Sequence, residues 1–316
     1  MEESVISLLK VINLHKSFGN VKALKGTSFE VKPATVHGFL GPNGAGKTTT
    51  MKILSGLISF DEGTILFENF NYKTSKSEIV RQIGYLPQNP AFYGYLTPVE
   101  YLSLIGQICN LDIRSTKKRT EEVLEIVKLS NVSKRKISTF SGGMLQRLGI
   151  AVAIFNKPKL LLLDEPTASL DPEGRAEVLE HIKSLKEEGI TVFFSTHILS
   201  DVERICDHVT ILHEGKVIVS DSLENLQKRY IRPVFCVEFE SIPDKLEEKL
   251  SQFPYIRKID IDNYEKVSIY VNNVEIAKRE LIKVLAQIDK PILSFYLKKP
   301  SLEDIFIRVV DKNDDI

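Results

Sequence analysis

The spacing of apolar positions changes repeatedly along the chain, and each change predicts an element. Val5–Leu14 and Ser28–Val31 read as short strands, with Phe18-Gly19-Asn20 as a turn signal. Val36-His37-Gly38-Phe39-Leu40 is a mostly apolar strand that runs into a glycine-rich stretch. Apolar residues at Met51, Ile53, Leu54 and Leu57 then predict a helix closing at Gly56 or just beyond. Gly63–Phe67 and Ile83–Gln88 predict two more strands. Thr97-Pro98-Val99-Glu100 reads as a helix start, with Thr as cap, Pro at the first helical position and Glu three residues after the cap. From there to about residue 155 the pattern is helical, and Val123, Leu124, Ile126, Val127 and Leu129 follow one face. Leu160-Leu161-Leu162-Leu163 predicts a strand buried on both sides. An amphipathic helix over 173–188 is ended by Gly189, and Ile190–Thr196 is a second buried strand. A helix over 198–205 and a hairpin, His208–His213 and Lys216–Ser220 about a Glu214-Gly215 turn, close this part.

The tail has a different order. Pro233–Glu240 predicts a strand, Pro243–Phe253 a helix, Ile256–Ile261 and Lys266–Val271 strands, Val274–Ile288 a helix and Ile292–Leu297 a strand. That order, βαββαβ, is the ferredoxin-like pattern. A last helix, Leu302–Val310, starts at Ser301, and Asp311–Ile316 reads as a polar end. The expected division is an α/β domain over 1–228, with a helical insertion at about 89–156, and a small α+β domain over 229–316. The tail carries no catalytic cluster, which leaves docking, dimerisation or regulation for it.

Bulk composition narrows the picture without deciding it. The 316 residues suffice for about two domains of ~150 each. With 43% hydrophobic and 27% charged residues the chain reads as globular. Lys+Arg and Asp+Glu both number 42, which argues against whole-molecule attraction to nucleic acid or an anionic membrane. The three cysteines, Cys109, Cys206 and Cys236, show no metal-ligand spacing and read as reduced thiols. No apolar run reaches the ~20 residues of a membrane span, and the acidic start Met1-Glu2-Glu3-Ser4 is unlike a secretory signal. Work at a membrane therefore requires a partner that holds the chain there.

The chemistry concentrates in a few loops. Gly41-Pro42-Asn43-Gly44-Ala45-Gly46-Lys47-Thr48-Thr49 fits G-x-x-x-x-G-K-[ST] at every fixed position, between a strand and a helix. That arrangement turns backbone N–H groups and the positive end of a helix toward a phosphate. Lys47 can reach β- and γ-phosphates, and the Thr48 hydroxyl can ligate Mg²⁺. Asp164-Glu165 follows the buried strand at its carboxyl end, where ligands bind in an open α/β sheet. Asp164 suits hydrated Mg²⁺, and Glu165 suits an attacking water. His197 ends the next buried strand, a place that favours a functional over a structural histidine. Other features allow two readings on residues alone. Phe18 is either a stacking face for adenine or an ordinary half-buried aromatic. Ser141-Gly142-Gly143 is either an anion site or a plain capped helix start, and the plain start is the simpler. The runs Lys117-Lys118-Arg119 and Lys134-Arg135-Lys136 are either solvated faces or contacts to lipid headgroups or a partner.

Taken together, residues 5–225 resemble the ATP-binding subunit of an ABC transporter. Residues 41–49 match its phosphate loop, Gln88 its Q-loop, and Ser141-Gly142-Gly143 its signature loop. Leu160–Glu165 match its Walker B strand with catalytic Glu165, Ser169-Leu170-Asp171 its D-loop, and His197 its switch histidine. Lys299-Pro300-Ser301-Leu302-Glu303-Asp304-Ile305-Phe306 is similar to the ending of a branch that serves exporters with membrane domains on separate chains. The resemblance implies a P-loop NTPase core of ABC type with an antiparallel β subdomain and a helical insertion, plus the ferredoxin-like domain. It implies ATP and Mg²⁺ as cofactors, with Thr48, Gln88 and Asp164 about the metal. Glu165, His197, Lys47 and Gln88 would carry hydrolysis. Phe18, residues 41–49, Ser141, Gly142, Gly143 and Asp171 would bind nucleotide. It implies a multi-span membrane permease on a separate chain, a second ATPase subunit in a homodimer or heterodimer, no nucleic acid, and a place on the cytoplasmic side of the membrane.

Three positions depart from the family pattern. Phe18 stands where tyrosine is common, Met144 where the signature has glutamine, and Ser169 where glycine is frequent. None removes a group required for hydrolysis. A soluble ABC-type ATPase acting on nucleic acid or ribosomes is the competing expectation. No long heptad tract separates the phosphate loop from Asp164, and one neutral ATPase domain is present, both of which weigh against it.

Overall fold

The computed structural model describes residues 7–168, 170–230, 234–262, 266–288, 290–298, 301–306 and 309. The chain divides into two compact units, the second spanning Asn225–Ile305.

The first unit opens with a hairpin, β1 (Leu9–Phe18) and β2 (Val21–Val31), and continues through β3 (Val36–Leu40), α1 (Lys47–Leu54), β4 (Glu62–Phe67), β5 (Phe70–Asn71), α2 (Lys76–Val80) and β6 (Ile83–Leu86). A helical stretch follows, with α3 (Pro98–Ile108), α4 (Ile113–Ile126), two single 3-10 turns and α5 (Gly142–Ile154). The core resumes with β7 (Leu160–Asp164), α6 (Pro172–Glu187), β8 (Thr191–Thr196), α7 (Leu199–Ile205), β9 (His208–His213) and β10 (Lys216–Ser222), and α8 (Leu223–Arg229) leads out.

Two sheets result. One is antiparallel in the order β2-β1-β4-β5, and the other has the order β10-β9-β3-β8-β7-β6. In the second, β3, β6, β7, β8 and β9 pair in parallel and only β10 is antiparallel. β3, β7 and β8 are buried at every position, as continuous apolar runs require in a sheet covered on both faces. Their register aligns Leu40 with Thr196 and Asp164 with Ser195. Three neighbouring strands therefore deliver their following loops to one edge of the sheet. Phe29, Phe39 and Phe193 pack with centroids 5.1 to 5.3 Å apart beneath that edge.

The predicted capping box at Thr97 forms: its side chain accepts from Glu100 N–H, and the Glu100 carboxylate accepts from Thr97 N–H. The second strand, however, is much longer than the expected Ser28–Val31, and the first runs on to Phe18, past the expected end at Leu14. Register shifts at Val11/Leu14, Leu14/His15 and Lys16/Ser17 interrupt the alternation of sides, which erases the period-2 signal. β5, α2 and α8 were not expected, being too short for a periodic pattern. Residues 1–6, which include the expected strand start at Val5, lie outside the described residues.

The second unit contains β11 (Val234–Phe239), α9 (Leu246–Leu250), β12 (Ile256–Ile261), β13 (Lys266–Val271), α10 (Val274–Ala286) and β14 (Ile292–Leu297). Its sheet has the order β12-β13-β11-β14, antiparallel throughout, which is the ferredoxin-like topology. Val237, Phe239, Leu250, Val267, Ile269, Leu281 and Leu285 form its own core. The expected helix Pro243–Phe253 is shorter, because Lys245 takes a left-handed φ of 58° immediately before α9. Residues 302–306 are helical, as expected for the start of Leu302–Val310. Pro233, Lys299, Pro300, Val310 and Asp311–Ile316 lie outside the described residues.

Candidate active site

The loop after β3 is built to expose amides. Gly46 has φ 107°, and a Cβ there would meet Leu24 Cδ2 at 2.7 Å and Ala23 O at 2.8 Å. Only glycine can therefore end this loop and open α1. Among the described hydrogen bonds, the N–H groups of Gly44, Gly46, Lys47, Thr48 and Thr49 have no protein acceptor, while that of Ala45 donates to Pro42 O at 3.2 Å. Five free amides at a helix N-terminus form a cradle for an anion, and phosphate fits it.

The charged groups of the edge meet beside this cradle. Lys47 Nζ donates to Gly41 O at 2.7 Å and to Pro42 O at 3.1 Å. It also stands 3.2 Å from Glu165 Oε1. The other oxygen, Glu165 Oε2, lies 2.9 Å from His197 Nδ1. Asp164 Oδ1 accepts from the Ser195 hydroxyl at 2.7 Å and from the Thr48 hydroxyl at 3.1 Å. The Glu165 N–H is itself held by Ser195 Oγ at 3.0 Å. Burial, with a further contribution from the Asp164 charge, pushes the Tyr85 phenol up to about 12, so it keeps its proton.

A cavity of about 170 Å³ is lined by Ala23, Asn43, Gly44, Gly46, Lys47, Thr48, Thr49, Gln88 and Glu165. The structure thus gathers the phosphate loop, Gln88 and Glu165 around one space, with Asp164 and His197 bonded to its walls. Gln88 is exposed at its mouth, and its backbone carbonyl accepts from Gln146 Nε2 at 3.4 Å. Thr48 and Asp164, already in contact through oxygen atoms, are hard donors that suit Mg²⁺. Among the described residues no group of three or more His, Cys, Asp or Glu is arranged to hold a metal.

Other expected residues stand apart from that cavity. Ser141 caps α5, its side chain accepting from Met144 N–H. A Cβ on Gly142 would lie 3.3 Å from Leu170 Cδ2, and one on Gly143 would lie 3.5 Å from Gly174 Cα. The Ser141-Gly142-Gly143 segment therefore packs beside the start of α6, where Asp171 caps the helix by accepting from Gly174 N–H. Phe18 is 51% exposed, with Lys16 Nζ 5.3 Å from its ring centroid. Ser169 lies outside the described residues. Sequence reasoning missed Ser195, which joins Asp164 to the Glu165 backbone. The available signal was two adjacent hydroxyl residues, Ser195 and Thr196, directly after the apolar run Val192-Phe193-Phe194 in a buried strand.

The family described as ABC transporter matches residues 24–168, and the family described as ATP-binding protein DrrA1-3-like, C-terminal domain, matches residues 222–310. An uncharacterized ABC transporter ATP-binding protein, YxlF of Bacillus subtilis (strain 168), is 38% identical over 303 residues, covering 96% of this chain and 99% of the relative. The chain belongs to the ABC transporter ATP-binding proteins. As such it is an ATPase subunit of a transporter, the role that its phosphate cradle and paired carboxylates suit. The bacitracin transport ATP-binding protein BcrA of Bacillus licheniformis is 38% identical over 306 residues, covering 96% of this chain and 97% of that one. The ATP-binding cassette MJ0796, in a dimeric post-hydrolysis state bound to ADP and Pi, superposes with a TM-score of 0.60 at 28% identity, covering 68% of this chain and 98% of that chain. ABC subunits of this kind bind ATP and ADP and work with membrane components. Among the described residues no helix is long and apolar enough to cross a membrane.

Proposed function

We propose that this chain powers an exporter by ATP-driven closure of an ATPase dimer. One observation carries the reading: the phosphate cradle and the Ser141-Gly142-Gly143 segment stand apart on the chain. The cradle at 41–49 meets Lys47, Asp164, Glu165 and His197, whereas Ser141-Gly142-Gly143 packs beside Leu170 and Gly174, outside the cavity. Two copies, or this chain and a similar one, complete both sites if each lends its signature segment to the other's phosphate loop.

In that arrangement residues 41–49 bind the ATP phosphates through their free amides and Lys47, and Phe18 stacks on the adenine. Thr48 and Asp164, with Gln88 at the mouth, would hold Mg²⁺, which would offset phosphate charge when bound. Glu165 orients water in line with the γ-phosphate, and His197 fixes the Glu165 carboxylate and reaches the same phosphate. Ser141, Gly142 and Gly143 of the facing subunit close over it, and Asp171 orders the adjoining loop. Phosphoryl transfer needs mainly this positioning and electrostatic support. The ATPase domain over 1–228 carries the chemistry, and the domain over 229–316 is accessory.

A multi-span permease on a separate chain would dock on the helical insertion at about 89–156 and hold the subunit on the cytoplasmic face. Export is favoured by the kinship with the bacitracin transport protein. Affinity purification of the full chain from detergent-solubilised membranes tests the assignment. A stoichiometric multi-span membrane protein is the expected companion; recovery with ribosomes or chromosomal DNA and no membrane protein overturns it.

A further inference from the structure

Asp201 lies on α7, four residues after His197, and is 1% exposed. A carboxylate removed from water to this degree needs partners for both oxygens. Oδ2 accepts from the Thr167 hydroxyl at 2.6 Å, and Oδ1 accepts from Arg175 Nε at 2.6 Å. Arg175 Nη2 also donates to Ser200 Oγ at 2.8 Å. Thr167, two residues after Glu165, is 2% exposed. Arg175 sits in the first turn of α6, four residues after the cap Asp171. One buried carboxylate thus ties together the loop that follows Glu165, the helix that follows Asp171 and the helix that follows His197.

That loop needs holding. Glu165 has a φ of 50°, a left-handed conformation that strains a side-chain-bearing residue and persists where its surroundings over-determine it. Ser195 fixes its amide on the strand side. On the other side the turn closes through Ala168 N–H to Glu165 O at 3.1 Å. The described bond that ties Thr167 to another element is the one to Asp201. None of Asp201, Thr167 and Arg175 lines the cavity of the phosphate loop.

We infer that Asp201 is a positioning residue for ATP hydrolysis, holding the turn at Glu165 in register with His197 through Thr167 and Arg175. The inference rests on the roles proposed above for Glu165 and His197. Its consequence is selective. Loosening the clamp displaces the carboxylate that orients water and leaves the amides and Lys47 that hold ATP in place, so turnover falls while affinity stays.

Thr167→Val and Thr167→Ser in the full chain separate this from a packing role, because valine keeps the volume and serine keeps the hydroxyl. Steady-state hydrolysis and ATP titration are measured on both, normalised to the concentration of ATP-binding sites. Thr167→Val should lose about tenfold or more in kcat with ATP affinity within about twofold of wild type, and Thr167→Ser should recover most of the loss. Wild-type kcat in Thr167→Val, equal loss in both variants, or a parallel loss of affinity overturns the clamp. Glu165→Gln run alongside keeps the two failures apart. Normal hydrolysis there overturns the role of Glu165 itself, whereas an inactive Glu165→Gln beside a normal Thr167→Val overturns only the inference about Asp201.

Discussion

Lys47 and Glu165 form a buried ion pair, with Nζ 3.2 Å from Oε1 and each side chain 5% exposed. The residue expected to meet phosphate and the residue expected to meet water thus hold each other. Removing one partner of such a pair leaves an uncompensated charge, at a cost of about 3–5 kcal/mol. Lys47→Ala should therefore lose ATP affinity and also lower the unfolding free energy of the nucleotide-free chain by about 3 kcal/mol. ATP titration and urea unfolding read the two effects; unchanged affinity would count against the phosphate loop.

Ser195 is fully buried, and its hydroxyl serves both carboxylate residues. Ser195→Ala strips Asp164 of a donor and should cost about 1–3 kcal/mol of stability. Because Asp164 is then less firmly oriented, half-maximal hydrolysis should require more Mg²⁺. A metal titration identical to wild type would contradict the orienting role.

Acid should unfold the chain partly through histidines. His37, with Nε2 2.8 Å from Thr210 Oγ1, is pushed down to about 3, mainly by burial and then by His208. His181 is pushed down to about 4, again mainly by burial, with Arg147 and Lys128 adding to it. Both are neutral in the fold, and both take protons below about 6.5 when unfolded. Their contribution is therefore complete above about 6.5 and is lost as pH falls from there toward 4, at about 1.4 kcal/mol per pH unit for each histidine. His37→Gln should flatten the fall in Tm between pH 7 and pH 5. An unchanged slope would show that His37 is not the group responsible.

Gly84 sets how closely α5 approaches β6, since a Cβ there would meet Ala153 O at 2.2 Å. Gly84→Ala has no room without moving the helix that begins at Gly142. The overpacking should cost about 1–3 kcal/mol. It should also impair hydrolysis more than ATP binding, because the displaced helix carries the signature segment and not the cradle. Wild-type turnover in Gly84→Ala would show that the spacing of α5 and β6 is free to change.

The elements that position the site were legible because they are the least ambiguous in the sequence. Val36–Leu40 and Leu160–Leu163 are continuous apolar runs, the phosphate loop has fixed glycine spacing, and the helix starts at Thr97 and Ser141 carry their own caps. The antiparallel sheet was less legible, since exposed lysines and shifts of register broke the alternation along β1 and β2. Within the site, residues that meet through sequence motifs were found. Those that meet only through the fold were not: Ser195 reaches Asp164 across a strand pairing, and Asp201 on α7 reaches Thr167 in the turn after β7 and Arg175 on α6.

In the proposed function, Glu165 drives the hydrolysis that reopens a closed dimer. Replacing the carboxylate by an amide keeps its shape beside Lys47 and His197 and removes its ability to activate water. Size-exclusion chromatography of Glu165→Gln with ATP and Mg²⁺, paired with phosphate release, measures this directly. The expected result is an ATP-dependent dimer that persists, with ATP bound and phosphate release nearly abolished. A Glu165→Gln chain that releases phosphate at the wild-type rate and accumulates no dimer would contradict it.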